Sequence, residues 1–185
     1  TCIAPDYVLV HASIEQEFLE RTKRAILGSK FSLSEGNYVQ IINERNTARI
    51  VGLIDPAKVI LGGEHDLPGR YIAPTVMAGV DFTDRVMTEE IFGPILPVIR
   101  YDDLGAALAQ IKARSKPLAL YLFTKDPETR EKVLREVSFG GGCINDAIVH
   151  ISNPHLPFGG VGGSGLGQYH GEAGFRAFSH YKGAL

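Results

Sequence analysis

The sequence predicts an α/β fold in which helices cover a largely parallel sheet. Strand and helix patterns alternate from residue 95 to residue 145, which is typical of parallel strands joined by helical crossovers. The run Leu-Ala-Leu-Tyr-Leu-Phe at 118–123 is the most apolar in the chain and predicts a strand buried on both faces. With 185 residues, 44% of them hydrophobic, the chain is long enough for one sizeable core, so we expect one domain.

The first 80 residues are predicted to hold two helices among short strands. Ser13 and Gln16 have the spacing of a capping box, and Gly28 is placed to end that helix. Asn43 is a good N-cap for the second helix. Pro74 indicates an edge strand or a bulge. In order, we expect a strand at 7–10, helices at 13–28 and 43–54, a strand at 58–61 and an extended segment at 71–80.

The second half of the chain ends in a glycine-dense loop. Seven glycines lie between Gly159 and Gly171, and a long loop of this kind is usually functional or disordered. Its aromatic and apolar residues argue against disorder. Before and after the loop we expect strands at 95–99, 118–123 and 141–145, a helix after Asp102 or Asp103, a helix from Asp126-Pro127, and a helical turn at 172–178.

Composition excludes several classes of protein. The formal net charge is −2 and no basic block occurs, which disfavours nucleic acid as a partner. No apolar run approaches the ~20 residues of a membrane span, and residues 1–20 lack a signal-peptide pattern. The two cysteines, Cys2 and Cys143, form no disulfide framework, which favours a reducing compartment.

The start of the chain is unusual. It opens on Thr1-Cys2-Ile3 without a methionine, and a buried strand is already predicted at 7–10. Because a domain rarely begins inside its own core, we expect this sequence to be a piece of a longer protein.

Two segments carry candidate chemistry, and each also has a plainer interpretation. Glu89 and Glu90 are either solvated or positioned to accept hydrogen bonds from ribose hydroxyls, and Phe92 is either core or a support for a flat ring. Cys2 is either a small buried hydrophobe or a nucleophile, since reactivity needs a lowered pKa that no sequence shows.

Four motifs together resemble the aldehyde dehydrogenase family. In the family's order they are the cysteine segment at 1–7, Glu-Glu-Ile-Phe-Gly-Pro at 89–94, Pro-Leu-Ala-Leu-Tyr-Leu-Phe at 117–123 and the Pro-Phe-Gly-Gly loop at 157–160. The resemblance extends from Thr1 to about Lys182. Gly162 stands where much of the family has lysine, which points to the class 3 branch. The implied fold is the three-layer α/β/α catalytic domain, with 146–171 as its active-site loop and the dinucleotide-binding domain absent from this chain.

The resemblance implies a role for five residues. Cys2 would attack the aldehyde to form a thiohemiacetal and then a thioester, and Glu90 and Phe92 would hold the nicotinamide end of NAD or NADP. Phe158 would line the substrate channel, and His170 would lie near the active site. The family's general-base Glu and oxyanion-hole Asn precede the cysteine, so we expect the isolated piece to be inactive and to bind NAD or NADP weakly. The parent is expected to be a cytoplasmic homodimer that oxidises a small-molecule aldehyde.

Other interpretations are weaker. The spacing Gly-x-Gly-x-x-Gly at 160–165 has neither the strand before it nor the helix after it that a dinucleotide loop needs. His150, His155 and His170 lack the spacing of a zinc motif, so no metal is expected. A cofactor-independent Cys-dependent hydrolase and a catalytically inert structural domain remain as alternatives. A hydrolase would need no NAD, and an inert domain would show no activity.

Overall fold

The computed structural model describes all residues from Thr1 to Leu185 and is a mixed α/β structure with five helices and eight strands. Three of its five strand pairs are parallel, which confirms the predicted α/β class. The chain divides into two compact units: an early unit, Pro5–Leu104, and a late unit made of Thr1–Ala4 and Gly105–Leu185. None of the helices is long and apolar enough to cross a membrane.

The early unit is built on a four-stranded sheet in the order β1-β6-β5-β2. The strand β6 pairs in parallel with both β1 and β5, while β2 is antiparallel to β5 with a bulge. A short hairpin of β3 and β4 lies outside this sheet. The elements are β1 Val8–His11, α1 Glu15–Ser29, α2 Glu44–Val51, β2 Val59–Leu61, β3 His65–Asp66, β4 Tyr71–Ile72, β5 Thr75–Met77 and β6 Ile95–Tyr101.

The core of the early unit forms where α2 packs on the sheet. Ile50 of α2 is fully buried in the same cluster as Ile95 and Ile99 of β6. The side chain of Asn43 accepts a hydrogen bond from the N–H of Asn46 at 2.8 Å, so the predicted cap of α2 is confirmed. The helix ends at Val51, shorter than expected.

The predicted ends of α1 are wrong. The N–H of Ser13 donates to Nδ1 of His11 at 3.2 Å, and the Ser13 hydroxyl contacts the same nitrogen at 2.8 Å. Ser13 therefore lies in a short 3₁₀ turn and does not cap the helix, which begins at Glu15. At the other end Lys30, rather than Gly28, adopts the left-handed conformation, with φ of 48°.

The late unit contains one parallel strand pair and three helices. Its elements are α3 Leu104–Lys112, whose first residue closes the early unit, β7 Ala119–Leu122, α4 Pro127–Glu136, β8 Gly141–Ile144 and α5 Gly171–Ala177. Asp126 caps α4 as predicted, because its carboxylate accepts from the N–H groups of Glu128 and Thr129.

The apolar run at 118–123 is not buried on both faces, contrary to the sequence-based expectation. The residues of β7 are all half-buried, and Phe123 is 67% exposed. The reason is the pairing: β7 has β8 on one side and no strand on the other.

Replacing Ile50 with alanine is expected to destabilise the fold strongly. The substitution removes buried methyl groups and leaves a cavity, which typically costs about 2–5 kcal/mol. Urea unfolding of the Ile50→Ala variant, compared with the wild type, measures the effect. Val39→Ala is the matched control, because Val39 is 80% exposed and should shift the free energy of unfolding by less than about 0.5 kcal/mol. Equal effects at the two positions would contradict the assigned core.

Candidate functional site

The acidic loop at 88–94 connects a 3₁₀ turn, Arg85–Met87, to β6. Ile91 anchors this loop: its side chain is buried in the core, and its N–H donates to the carboxylate of Asp6 at 2.9 Å. Glu89 and Glu90, which precede Ile91, are both exposed.

Arg49 of α2 binds the side chain of Glu89 but only the main chain of Glu90. Its guanidinium donates to the Glu89 carboxylate at 3.1 Å and to the main-chain oxygens of Glu90 at 3.3 Å and of Ile91 at 2.7 Å. Charge-assisted bonds of this kind are among the stronger hydrogen bonds in proteins. Glu89 is therefore engaged in holding the loop, whereas the Arg49 side chain reaches only the main chain of Glu90. The Glu90 carboxylate stays at the surface, where a ligand can reach it.

Phe92 has an unfavourable backbone conformation. Its φ is 48°, which a bulky side chain rarely adopts, and its ring is 59% exposed. At the next residue, a Cβ added to Gly93 would lie 2.8 Å from Cδ1 of Ile50, so a larger residue there would force the buried Ile50 side chain to move. Strained backbone of this kind is concentrated at functional sites. The Phe92 ring is thus exposed two residues after the exposed Glu90.

Cys2 lies in a turn of the late unit with its side chain exposed. The turn is closed by a hydrogen bond from the N–H of Ala4 to the carbonyl of Thr1 at 3.1 Å. Ile3, the next residue, is buried. Its carbonyl accepts a 2.6 Å hydrogen bond from the hydroxyl of Tyr121 on β7. Burial of Ile3 thus fixes one side of the turn and leaves the thiol outside.

Phe158 and His170 come together in the glycine-dense loop. Their rings are stacked, with centroids 5.6 Å apart and planes 23° from parallel. Two main-chain hydrogen bonds between Phe158 and Tyr169, of 2.8 and 2.9 Å, hold the two ends of this part of the loop together. The ring of His150 lies 6.3 Å from Phe158 on one side and 5.8 Å from Tyr121 on the other. We call residues 1–4 the cysteine turn. A row of rings therefore runs from Tyr121, which bonds to this turn, through His150 to the Phe158–His170 pair.

The loop is tied to the strand pair by Asn145. Its side-chain amide accepts from the N–H of Thr124 at 2.8 Å and donates to the Thr124 carbonyl at 3.0 Å. These two hydrogen bonds join the residue that follows β8 to the residues that follow β7. Asn145 has φ of 57°, a conformation that asparagine tolerates well.

His150 contacts the second thiol of the chain. Its Nδ1 lies 3.6 Å from Sγ of Cys143, and its Nε2 is buried without a hydrogen-bond partner. Burial lowers the pKa of His150 from its usual 6.5, because the charged imidazolium loses solvation. No cluster of three or more His, Cys, Asp or Glu side chains is placed to hold a metal ion.

The structure thus divides the predicted site residues between the units. Glu90 and Phe92 are neighbours in the early unit, whereas Cys2, Phe158 and His170 belong to the late unit. Sequence reasoning missed Arg49 and Tyr121 as supporting residues. Neither has a local signal: Arg49 contacts residues about 40 positions away, and Tyr121 bonds to a carbonyl 118 positions away.

Comparison with known proteins gives a consistent match. The model of the aldehyde dehydrogenase family matches residues 1–183. The chain is 46% identical to the dimeric NADP-preferring aldehyde dehydrogenase of Mus musculus, over all of this chain and 41% of that protein. It is 45% identical to the 4,4'-diaponeurosporen-aldehyde dehydrogenase of Staphylococcus aureus, over 98% of this chain and 40% of that protein.

The structural match agrees with the sequence match. The substrate-bound structure of an aldehyde dehydrogenase from Staphylococcus aureus superposes with a TM-score of 0.90 at 40% identity, over 100% of this chain and 42% of that one. The chain spans about two fifths of the length of the two curated relatives named above.

The lowered pKa of His150 predicts a pH-dependent stability. In the unfolded chain this imidazole takes up a proton near pH 6.5, but in the folded chain it does so only at lower pH. Stability from this group is therefore complete above pH 6.5 and falls as the pH drops below that value. Urea unfolding at pH 7.5, 6.5 and 5.5 should show a steeper loss for the wild type than for His150→Gln. His155→Gln, at an exposed position, should follow the wild type; identical slopes for all three proteins would contradict the assignment.

Proposed function

Because this chain belongs to the aldehyde dehydrogenase family, we propose that it supplies the catalytic cysteine and the nicotinamide-facing loop of an NAD- or NADP-dependent enzyme. The family resemblance drawn from the four motifs is confirmed. The proposed reaction is the oxidation of an aldehyde to a carboxylic acid. The observation that carries the proposal is the match along residues 1–183, with the Cys2 thiol exposed at its start.

In the proposed reaction the Cys2 thiolate attacks the carbonyl carbon of the aldehyde. The resulting thiohemiacetal gives up a hydride and becomes a thioester, which water then cleaves to the carboxylic acid and the free thiol. Sulfur suits both halves, because it is a strong nucleophile and a good leaving group from an acyl carbon. The N–H of Cys2 is proposed as one donor to the developing oxyanion. The nicotinamide ring supplies the hydride acceptor.

The early unit offers groups that fit the nicotinamide end of the cofactor. Since Arg49 engages Glu89, the exposed Glu90 carboxylate is the one proposed to accept hydrogen bonds from the ribose hydroxyls. The exposed ring of Phe92, held outward by its backbone, is proposed to pack near the flat nicotinamide. Fixing the ring in this way would set the geometry of hydride transfer, where small displacements are costly.

The stacked pair of Phe158 and His170 is proposed to contact the substrate. Both belong to the loop that the resemblance assigns to the active site, and the row of rings joins them to the cysteine turn. An apolar wall of this kind suits the carbon skeleton of a small aldehyde. The hydrolase alternative has less support, because the imidazole–thiol contact in the structure is made by Cys143 and not by Cys2.

We further propose that this chain acts as part of a longer cytoplasmic protein that forms homodimers. The Staphylococcus aureus and mouse relatives are more than twice as long, and the name of the mouse relative describes it as dimeric. Several large apolar side chains of the late unit are almost fully exposed, including Leu166 at 103% and Phe178 at 93%. Contiguous exposed apolar patches often mark protein contacts, and we propose that these side chains contribute to one.

Replacing Cys2 with alanine in the full-length protein is expected to abolish aldehyde oxidation while NAD or NADP still binds. The substitution removes the nucleophile and leaves Glu90 and Phe92 in place. NADH or NADPH formation and cofactor calorimetry measure the two properties separately. The matched control is Cys143→Ala, which removes the other thiol and should keep activity. Normal turnover in Cys2→Ala would disprove the assignment.

The 185-residue chain alone is expected to be inactive. The resemblance places the dinucleotide-binding domain, the general base and an oxyanion-hole asparagine before Cys2 in the family. Loss of one oxyanion donor costs about 10²–10³ in rate, and loss of a general base about 10²–10⁴. Calorimetry with NAD and NADP and an NADH-formation assay on this chain test the expectation. Micromolar cofactor binding, or turnover that disappears in Cys2→Ala, would show that the chain is more complete than proposed.

A further inference from the structure

The hydroxyl of Tyr121 is the point at which β7 holds the cysteine turn. It donates to the carbonyl oxygen of Ile3, one residue after Cys2, at 2.6 Å. The turn has few bonds of its own. The Ala4 N–H reaches Thr1 at 3.1 Å, and the Ile3 N–H reaches the Thr1 hydroxyl at a long 3.5 Å. The bond from Tyr121 is therefore the shortest that fixes the turn.

Tyr121 itself is held by strand pairing and by ring packing. It lies in β7 directly opposite Cys143 of β8, and its ring packs 5.8 Å from the ring of His150. Burial raises the pKa of its hydroxyl above 10, and the nearby thiols of Cys143 and Cys2 add to that shift. The hydroxyl stays protonated at neutral pH and keeps its role as a donor to Ile3.

We propose that Tyr121 is a positioning residue for the Cys2 nucleophile, acting through the carbonyl of Ile3. The inference rests on the proposed function, because it gives Tyr121 a role in the reaction of Cys2. Tyr121 does not contact the reacting atoms in this role; it sets the orientation of the turn from which the thiolate attacks. Misplacing a reacting group by about 1 Å can cost as much as 10²-fold in rate.

Tyr121→Phe tests the inference, since it removes only the hydroxyl. In the full-length enzyme, kcat should fall about 10-fold or more while KM for the aldehyde stays within about 2-fold, because the bond orients the nucleophile and does not bind substrate. In the 185-residue chain, the Ala4 amide should exchange with deuterium faster, because the turn opens more often without its anchor.

Tyr38→Phe is the matched control. The Tyr38 hydroxyl also donates to a main-chain carbonyl, that of Ile72, at 2.6 Å, and burial raises the pKa of Tyr38 to about 12. This residue belongs to the early unit, whereas the cysteine turn belongs to the late unit. Tyr38→Phe should lose comparable stability, but its kcat and its Ala4 exchange should match the wild type.

The outcomes separate the inference from the function on which it rests. An active wild type with equal kcat values for Tyr121→Phe and Tyr38→Phe would overturn the positioning role. Unchanged exchange of the Ala4 amide in Tyr121→Phe would overturn it as well. A full-length wild type without aldehyde oxidation would instead overturn the proposed function, and the inference with it.

Discussion

The early unit depends on the burial of β6 between two parallel neighbours. Both edges of this strand pair with others, and its inward residues, such as Val98, are fully buried. The entry to the strand is fixed as well, because the carbonyl of Pro94 accepts from the N–H of Thr75 at 2.8 Å. Just before it, Gly93 lies against Ile50 with no room for a Cβ. The position of the acidic loop is therefore set largely by the packing of the core beneath it.

Consecutive residues of one helix connect this core to the candidate site. Ile50 of α2 points into the core, and Arg49, its neighbour, points to the acidic loop. Arg49 satisfies two main-chain oxygens and one carboxylate at once, so the charge of Glu89 helps to hold the loop. In this arrangement the guanidinium bonds to the carboxylate of Glu89 and only to the main-chain oxygen of Glu90. The choice between two adjacent glutamates thus follows from how a single helix is oriented.

The sequence predicts features set by neighbouring residues, such as helix caps, better than contacts between residues far apart in the chain. The caps at Asn43 and Asp126 depend on residues two or three positions away, and both were predicted. The cap at Ser13 failed because a histidine two residues earlier competes for the same groups, which a capping pattern does not reveal. The contacts of Arg49 and Tyr121 have no local signal, since they arise only when the fold is complete. The roles of Cys2 and Glu90 came from resemblance, not from periodicity.

The late unit holds its functional segment by a different means. Between residues 158 and 170 the main chain forms a single two-bond bridge, between Phe158 and Tyr169, and no longer strand ladder. A Cβ on Gly160 would lie 2.2 Å from the carbonyl oxygen of Ser164, so bare backbone is what allows the loop to fold back on itself. Ring contacts then hold the side chains of Phe158, Tyr169 and His170 in place. Segments without a strand ladder are where local opening is easiest, and binding sites commonly lie in them.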